Sequence, residues 1–449
     1  MASPPRIATD GCARCPDQRT TMHRPSLFPR HSALGYALLL ALPATAVAAG
    51  DTTLTGDWGG RRSAWAEHGV SVRGDYVSET FGVVDGGYEK NSARYAQQLR
   101  VGVDLDMARL AGWDGGSLHV TINDRRGRST SADLVGNRFP IQEVYGGQYT
   151  RLSEFSYDRS FNQGRTYLKL GFYAMGNQFA SHTLLVNFVN AAFCAHPLAF
   201  SANSGWYNYP AARWGIEGAQ QLTPQLNLHA GWFQVNPNLG FGARDTYAFK
   251  PFASGTTGAI FPLEFTWKPD ASRYPGVYKF GGYYDSSTVA RRGLDTSRST
   301  GRDGAYLLAE QKLFTPGADA SIGLTGFAQY MASDHDSALM TRWYSVGGVY
   351  QGIGARTQDR IALGYVAGRI NHRLLDARRV ALIDAGVVAD SPLAGLSAAE
   401  ELYELAYSAQ ITPWLMLRPD VQYIVSPGTY AYTRTHNALA VGLQAKLTF

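Results

Sequence analysis

From Val70 onward, apolar and polar side chains alternate with a period of two. Leu99, Val101, Val103 and Leu105 are interleaved with Gln98, Arg100, Asp104 and Asp106. Leu118, Val120 and Ile122 alternate with Ser117, His119, Thr121, Asn123 and Arg125, and Thr166, Leu168, Leu170 and Phe172 with Arg165, Tyr167, Lys169 and Tyr173. A period of two sends successive side chains to opposite faces of a strand. About sixteen such strands are predicted. They start near Val70, Arg94, Gly116, Thr150, Gly164, Arg213, Leu226, Gly258, Gly276, Asp303, Asp319, Thr341, Gln358, Glu400, Leu415 and His436.

The connections alternate in length. Short turns fall at Ser160–Gln163, Leu222–Gln225, Phe314–Asp319 and Thr412–Pro413, and Pro224, Pro316 and Pro413 sit in them, where a missing N–H costs no ladder bond. Long loops are predicted at Arg126–Tyr149, Ala174–Ala212, Asn236–Thr257, Ser286–Arg302 and Asn371–Ala399, the last with a helical apolar stretch around Val380–Val388. An even number of strands joined in this way predicts an all-β fold. Residues 70–449 form a transmembrane antiparallel β-barrel, oily outside and enclosing a water-filled lumen. A soluble sandwich also alternates, but it has no need of ionic residues repeated along one face of several strands.

The final strand carries the pattern to the last residue. Leu439, Val441, Leu443, Ala445, Leu447 and Phe449 share one face, with Gln444, Lys446 and Thr448 on the other. Such a strand is a candidate signal for barrel-assembly machinery. Phe81, Trp113, Phe161, Phe172, Trp232, Trp267, Trp414 and Tyr423 fall near predicted strand ends, as expected of aromatic girdles at the bilayer boundary. The setting expected is the outer membrane of a Gram-negative bacterium, with lipid against the apolar face.

Composition supports strands: 49 Gly, 26 Tyr, 20 Phe and 9 Trp, with charged residues at 17%. A mean hydropathy of −0.20 is too polar for a helical membrane protein. Residues 1–49 read as an export segment. Arg24 and Arg30 precede the apolar run Ala33–Leu42, with small residues at 44–50, the layout of a signal peptide cleaved near Ala48 or Ala49. Met22 is the expected start, with the residues before it a spurious extension. Five Arg and two Asp lie in 1–49, which leaves 36 of 41 basic and 34 of 36 acidic side chains, a net charge of +2. The basicity is therefore largely that of the leader, and nucleic-acid binding gains no support. Cys12 and Cys15 fall in it too, leaving Cys194 alone. Residues 50–69 form a periplasmic segment in which Asp57–Gly69 suits a short helix, packing beneath the barrel or plugging its mouth.

Several motifs resemble the carbohydrate-selective porin (OprB-type) family across nearly the whole chain after the leader. They are Leu54-Thr-Gly-Asp-Trp-Gly-Gly-Arg61 with Glu67-His-Gly69, Asp85-Gly-Gly87, and Trp206-Tyr-Asn-Tyr-Pro210 with Trp214. The run Thr412-Pro-Trp-Leu-Met-Leu-Arg-Pro-Asp-Val-Gln-Tyr423 and the ending from Asn437-Ala-Leu-Ala-Val-Gly442 to Phe449 complete the set. The resemblance implies a sixteen-stranded porin passing glucose-like monosaccharides into the periplasm by facilitated diffusion. It also implies a cysteine paired with the one at Cys194, but this chain has Val186 there, so that disulfide is not expected.

A porin catalyses nothing and needs neither cofactor nor metal. It needs a constriction whose donors and acceptors replace a sugar's hydration. Strand parity nominates Arg73, Asp75 and Glu79; Gln98, Arg100, Asp104 and Asp106; Asn123 and Arg125; then Glu154, Asp158, Arg165, Lys169, Arg213 and Glu217. The resemblance adds Asn123-Asp-Arg-Arg126, hence Arg126, and the loop 174–212 as contributors to the narrow zone. Asp124 falls on the outward parity and belongs only if the strand has ended. Asn123, Arg125, Arg165 and Lys169 are expected to line the eyelet, with carboxylates such as Asp104 opposite. The charges are mixed, so strong anion selectivity is not predicted, although a general or anion-preferring pore is the nearest alternative. An outer-membrane enzyme would need a nucleophile, His and carboxylate at one rim, and neither G-x-S-x-G nor H-E-x-x-H occurs. A secreted glycosidase or lectin would not need the apolar face. Gly347–Gly354 superficially resembles a nucleotide loop, but no helix is predicted after it.

Overall fold

The computed structural model describes residues 52–240, 247–270, 274–295, 297–387, 396–429 and 436–449. The predicted leader and the end of the predicted helical stretch, Val388, lie outside them. Sixteen antiparallel strands close into one barrel, each bonded to its sequence neighbours, with β1 (Val70–Asp85) meeting β16 (Ala438–Thr448) at the seam. Between them run β2 (Ser92–Asp106), β3 (Gly116–Gly127), β4 (Tyr149–Phe161), β5 (Thr166–Tyr173), β6 (Arg213–Gln221), β7 (Leu226–Val235) and β8 (Gly258–Trp267). The far wall is β9 (Gly276–Ala290), β10 (Arg298–Phe314), β11 (Gly323–Ser333), β12 (Met340–Ile353), β13 (Arg356–Ile370), β14 (Ala399–Thr412) and β15 (Leu415–Val425). Closure leaves no unpaired edge, the condition for a sheet in lipid. Among the described residues no helix is long and apolar enough to cross a membrane.

Leu99, Val101, Ile122, Leu363, Val441 and Leu443 stand exposed on the outer face. Trp113, Phe161, Trp232, Trp267 and Tyr423 are exposed too, as girdle residues should be, but three expected members are not. Phe81 and Phe172 are buried, and Trp414 edges a cavity in the lumen.

The interior departs from a uniformly wet lumen. The long loops 128–148 and 174–212 fold back inside and bring Phe139, Ile141, Phe179, Phe188, Phe193, Phe200 and Trp206 into one apolar cluster. That cluster packs on inward residues of the loop-side half of the wall, among them Phe81, Phe233, Phe327, Trp343, Leu402 and Ala440. Glycine makes room for it: a Cβ on Gly215 would lie 2.2 Å from the Phe233 ring. The turn-side half stays polar.

Helix α1 (Arg61–Glu67) sits beneath the barrel seam. Leu54 N–H donates to the Thr448 oxygen at 2.7 Å, and Asp106 N–H to the Gly69 oxygen at 2.8 Å. Arg109, in the short helix α2 (Met107–Ala111), donates to the Glu67 oxygen at 2.7 Å. Trp58 and Trp65 are exposed, so the segment packs against the rim. The predicted helical stretch in loop 371–399 begins earlier than expected, as the Asn371-capped α4 (His372–Asp384) following the short α3 (Ala199–Asn203) in chain order.

Candidate functional site

The polar half of the lumen is built by strand register. Asp75 pairs across the ladder with Arg100, Asp104 with His119 and Asp158 with Lys169. Opposite charges placed directly across a ladder attract, and here they link into a belt over five strands. Arg100 Nε donates to Asp75 Oδ2 at 2.6 Å. Arg73 Nε donates to Asp104 Oδ2 at 2.7 Å and Nη2 to Thr121 Oγ1 at 2.8 Å. His119 bridges Asp104 and Asp158 at 2.7 and 2.5 Å, and Lys169 Nζ meets Glu154 Oε1 at 2.9 Å. Each side chain is held extended by its neighbour.

A cavity of about 570 Å³ opens beside this belt. Asp75, Gln98, Arg100 and Arg125 face it from one wall, Arg360, Arg418 and Lys446 from the other, and Val186, Cys194 and Tyr209 from the infolded loop. Arg125 is fixed by Nε donating to Gln98 Oε1 at 2.9 Å and Nη1 to the Glu143 oxygen at 3.3 Å. Tyr209 accepts from Asn123 Nδ2 at 2.9 Å, and its ring lies 5.9 Å from the Arg100 guanidinium. The Cys194 thiol donates to Glu143 Oε1 at 3.2 Å; burial and that carboxylate push its pKa up. His196, buried beneath Trp206, is pushed down to about 4 by loss of hydration. Among the described residues Cys194 is a free thiol, and no group of His, Cys, Asp and Glu could hold a metal ion.

The structure sorts the predicted residues. Arg73, Asp75, Arg100 and Asp104 lie together in the belt, but Asp104 adjoins Arg73 on the same wall instead of facing the basic set. Arg125 lines the cavity, and Asn123 is buried behind Tyr209. Arg126 is not a lumen residue: β3 continues through Gly127, and Arg126 lies on the outer face bonded to Asp124 at 2.7 Å and Thr150 at 3.0 Å. Arg165 precedes β5 on an exposed turn and edges a second cavity, of about 540 Å³, on the β5–β10 side.

Lys169, Arg213 and Glu217 point inward but are covered. Loop 174–212 comes down on that side, and its Phe179 stacks on His229 at 3.9 Å. Arg213 Nη1 donates to the Leu239 oxygen at 2.7 Å beneath Tyr207, and Glu217 lies 3.6 Å from His229. A register shift between β3 and β4 also turns Arg151 and Ser153 inward beside Glu154, which no strict alternation could foresee. Arg360 and Arg418 were missed, although parity carried along β13 and β15 would have found them. Tyr209 leaves no such signal, because it belongs to a loop.

Sixteen strands closed around a charged passage, with long loops folded into it, define an outer-membrane diffusion porin. The chain belongs to the family described as "Carbohydrate-selective porin, OprB family", whose model matches residues 90–449. It is a sugar porin of the Gram-negative outer membrane. It is 31% identical over 421 residues to Porin B of Pseudomonas aeruginosa, covering 88% of this chain and 91% of that one. To the putative porin QuiX of Acinetobacter baylyi it is 27% identical, covering 88% and 93%. Among solved structures, the high-pH structure of Pseudomonas putida OprB superposes with a TM-score of 0.82 at 30% identity, covering 89% of this chain and 99% of that one.

Proposed function

We propose that monosaccharides cross through the 570 Å³ cavity, with Arg100, Arg125, Arg360 and Lys446 as donors and Asp75 as acceptor. The observation carrying this reading is the Asp75–Arg100 pair beside Tyr209. It puts charged donors and acceptors next to an aromatic ring at one place, which suits a molecule with hydroxyls on its rim and C–H groups on its face. The cavity volume falls in the roughly 300–1,000 Å³ range of small-molecule sites. No bond is made or broken; the protein exchanges water for side-chain contacts and releases the sugar. Liposome-swelling rates over a sugar series, set against an amino acid of similar size, test this. Faster swelling with hexoses supports it, and equal rates for the amino acid indicate a general pore.

A specific observation favours a second trait. The cavity counts Arg100, Arg125, Arg360, Arg418 and Lys446 against Asp75 and Glu143. We infer a preference for anions among small ions, readable from the reversal potential in a salt gradient. Residues 1–49 serve as the export leader, and the strand ending at Phe449 as the segment read during assembly. Normal insertion after deletion of Phe449 would refute the latter role.

A further inference from the structure

We propose that Glu404 and Arg418 are positioning residues that set the width of the sugar passage by clamping one short stretch of the infolded loop. This rests on the reading above, because the stretch in question, residues 186–190, borders the same cavity.

The clamp grips backbone groups of both kinds. From β15, Arg418 Nη2 donates to the Val186 oxygen at 2.9 Å and Nη1 to the Phe188 oxygen at 3.2 Å. From β14, the Glu404 carboxylate accepts from Val189 N–H and, at 3.2 Å, from Asn190 N–H. Four backbone groups within five residues are thus tied to two wall side chains. The wall residues are themselves fixed. Arg418 Nε donates to Ser408 Oγ and Nη1 to Gln444 Oε1, both at 2.8 Å. Asn190 Nδ2 donates to Gln422 Oε1 at 2.8 Å and to the Phe139 oxygen at 3.1 Å, which ties the stretch to the other infolded loop.

The geometry has a consequence for permeation. Glu404 and Arg418 are 1% and 5% exposed, whereas Val186, which Arg418 holds, is 64% exposed to the cavity. Glu404 acts from behind the lining and Arg418 from its margin, and the apolar Val186 side chain presents the edge a sugar meets. The stretch has no strand ladder to hold it. Its backbone would otherwise need water or other protein partners, and a buried carboxylate facing N–H groups with a guanidinium facing carbonyls satisfies both ends. With the clamp removed, residues 186–190 can move within the lumen while the sheet stays closed.

The test uses the full-length porin in planar bilayers and liposomes. The double variant E404M/R418M removes both clamp side chains, while the buried Asp420 beside them keeps its hydrogen bond from Gln422 Nε2. The gentler R418K keeps the charge but loses the fork that spans two carbonyls. The expected result is a folded barrel with unchanged heat-modifiable gel mobility and a single-channel conductance raised about twofold with added noise. The ratio of disaccharide to monosaccharide swelling rates should rise about threefold, and R418K should fall between. E401Q, on the outer face of β14, serves as the control that changes neither readout. Wild-type conductance and sugar ratio in folded R418K, or in the folded double variant, would overturn the proposal. The conductance readout uses ions alone, so a wild-type channel that discriminated no sugars would refute the sugar pathway and leave the clamp to be judged separately.

Discussion

Arg62 Nη2 donates to the backbone oxygen of Phe449 at 2.7 Å, joining residues 387 positions apart in the chain. The same guanidinium group reaches the Val72 oxygen at 2.8 Å, so helix α1 ties both strands of the barrel seam. Phe449 N–H in turn donates to the Gly74 oxygen at 2.9 Å, and a Cβ on Gly74 would sit 3.2 Å from the Phe449 ring. The aromatic residue that ends the final strand is thus seated on β1. Arg62→Ala should lower stability by about 1.5–3 kcal/mol, the usual worth of a charged hydrogen bond. It should also slow insertion into vesicles while leaving conductance unchanged. A large conductance rise with normal insertion would mean that α1 plugs the mouth.

Arg125 and Lys169 looked equivalent in the alternation, and the structure separates them. Arg125→Ala should change single-channel conductance and sugar block, because its guanidinium faces the cavity. Lys169→Ala should leave both intact but cost roughly 2–3 kcal/mol in denaturant unfolding, since Glu154 would lose its buried cation. Arg126→Ala, on the outer face, should fall within about 0.5 kcal/mol of wild type and conduct normally. Altered permeation in Arg126→Ala would contradict its placement.

Lys446 faces the cavity from β16 and has no hydrogen-bond or ion-pair partner among the described residues. Its charge is therefore available to permeating ions. Lys446→Glu should lower the anion-to-cation permeability ratio roughly two- to threefold. Reversal potentials in a salt gradient measure this, and an unshifted potential would remove Lys446 from the pathway.

His196 gives a pH signature confined to the infolded loop. Its pKa, about 4 in the folded protein against 6.5 when solvated, means that the unfolded loop binds a proton more readily. The loop's stability is therefore fully present above pH 6.5 and is lost progressively as pH falls from there through about 4, by at most about 3 kcal/mol. Hydrogen exchange of residues 174–212, corrected for intrinsic rate, should rise across that window and flatten in His196→Asn. A flat wild-type profile would show that His196 does not limit loop opening.

Most of the scaffold was legible in the sequence. Fifteen of the sixteen strand starts could be placed within about four residues because lipid enforces one apolar face on each strand. The β10 start was placed five residues late, at Asp303 instead of Arg298, beyond the last clear apolar alternation. The inner face was less legible. Phe81 read as a girdle residue by type, yet it faces inward against the infolded loops. Alternation reports which side of the strand a residue takes, but it does not report what covers that side.

The sequence by itself determined the barrel, its short turns, the outward band and the alternation of the last strand up to Phe449. Each of these follows from a local periodicity in contact with a uniform solvent, lipid outside or water at the turns. Only the tertiary structure decided which inward charges meet the passage. Arg125 does and Lys169 does not; Arg360, Arg418 and Tyr209 join from distant segments; and Glu404 acts from behind the lining. The reason is that the lumen's lining is set by two loops without periodicity, whose course is fixed by contacts as far apart in sequence as Val186 and Arg418.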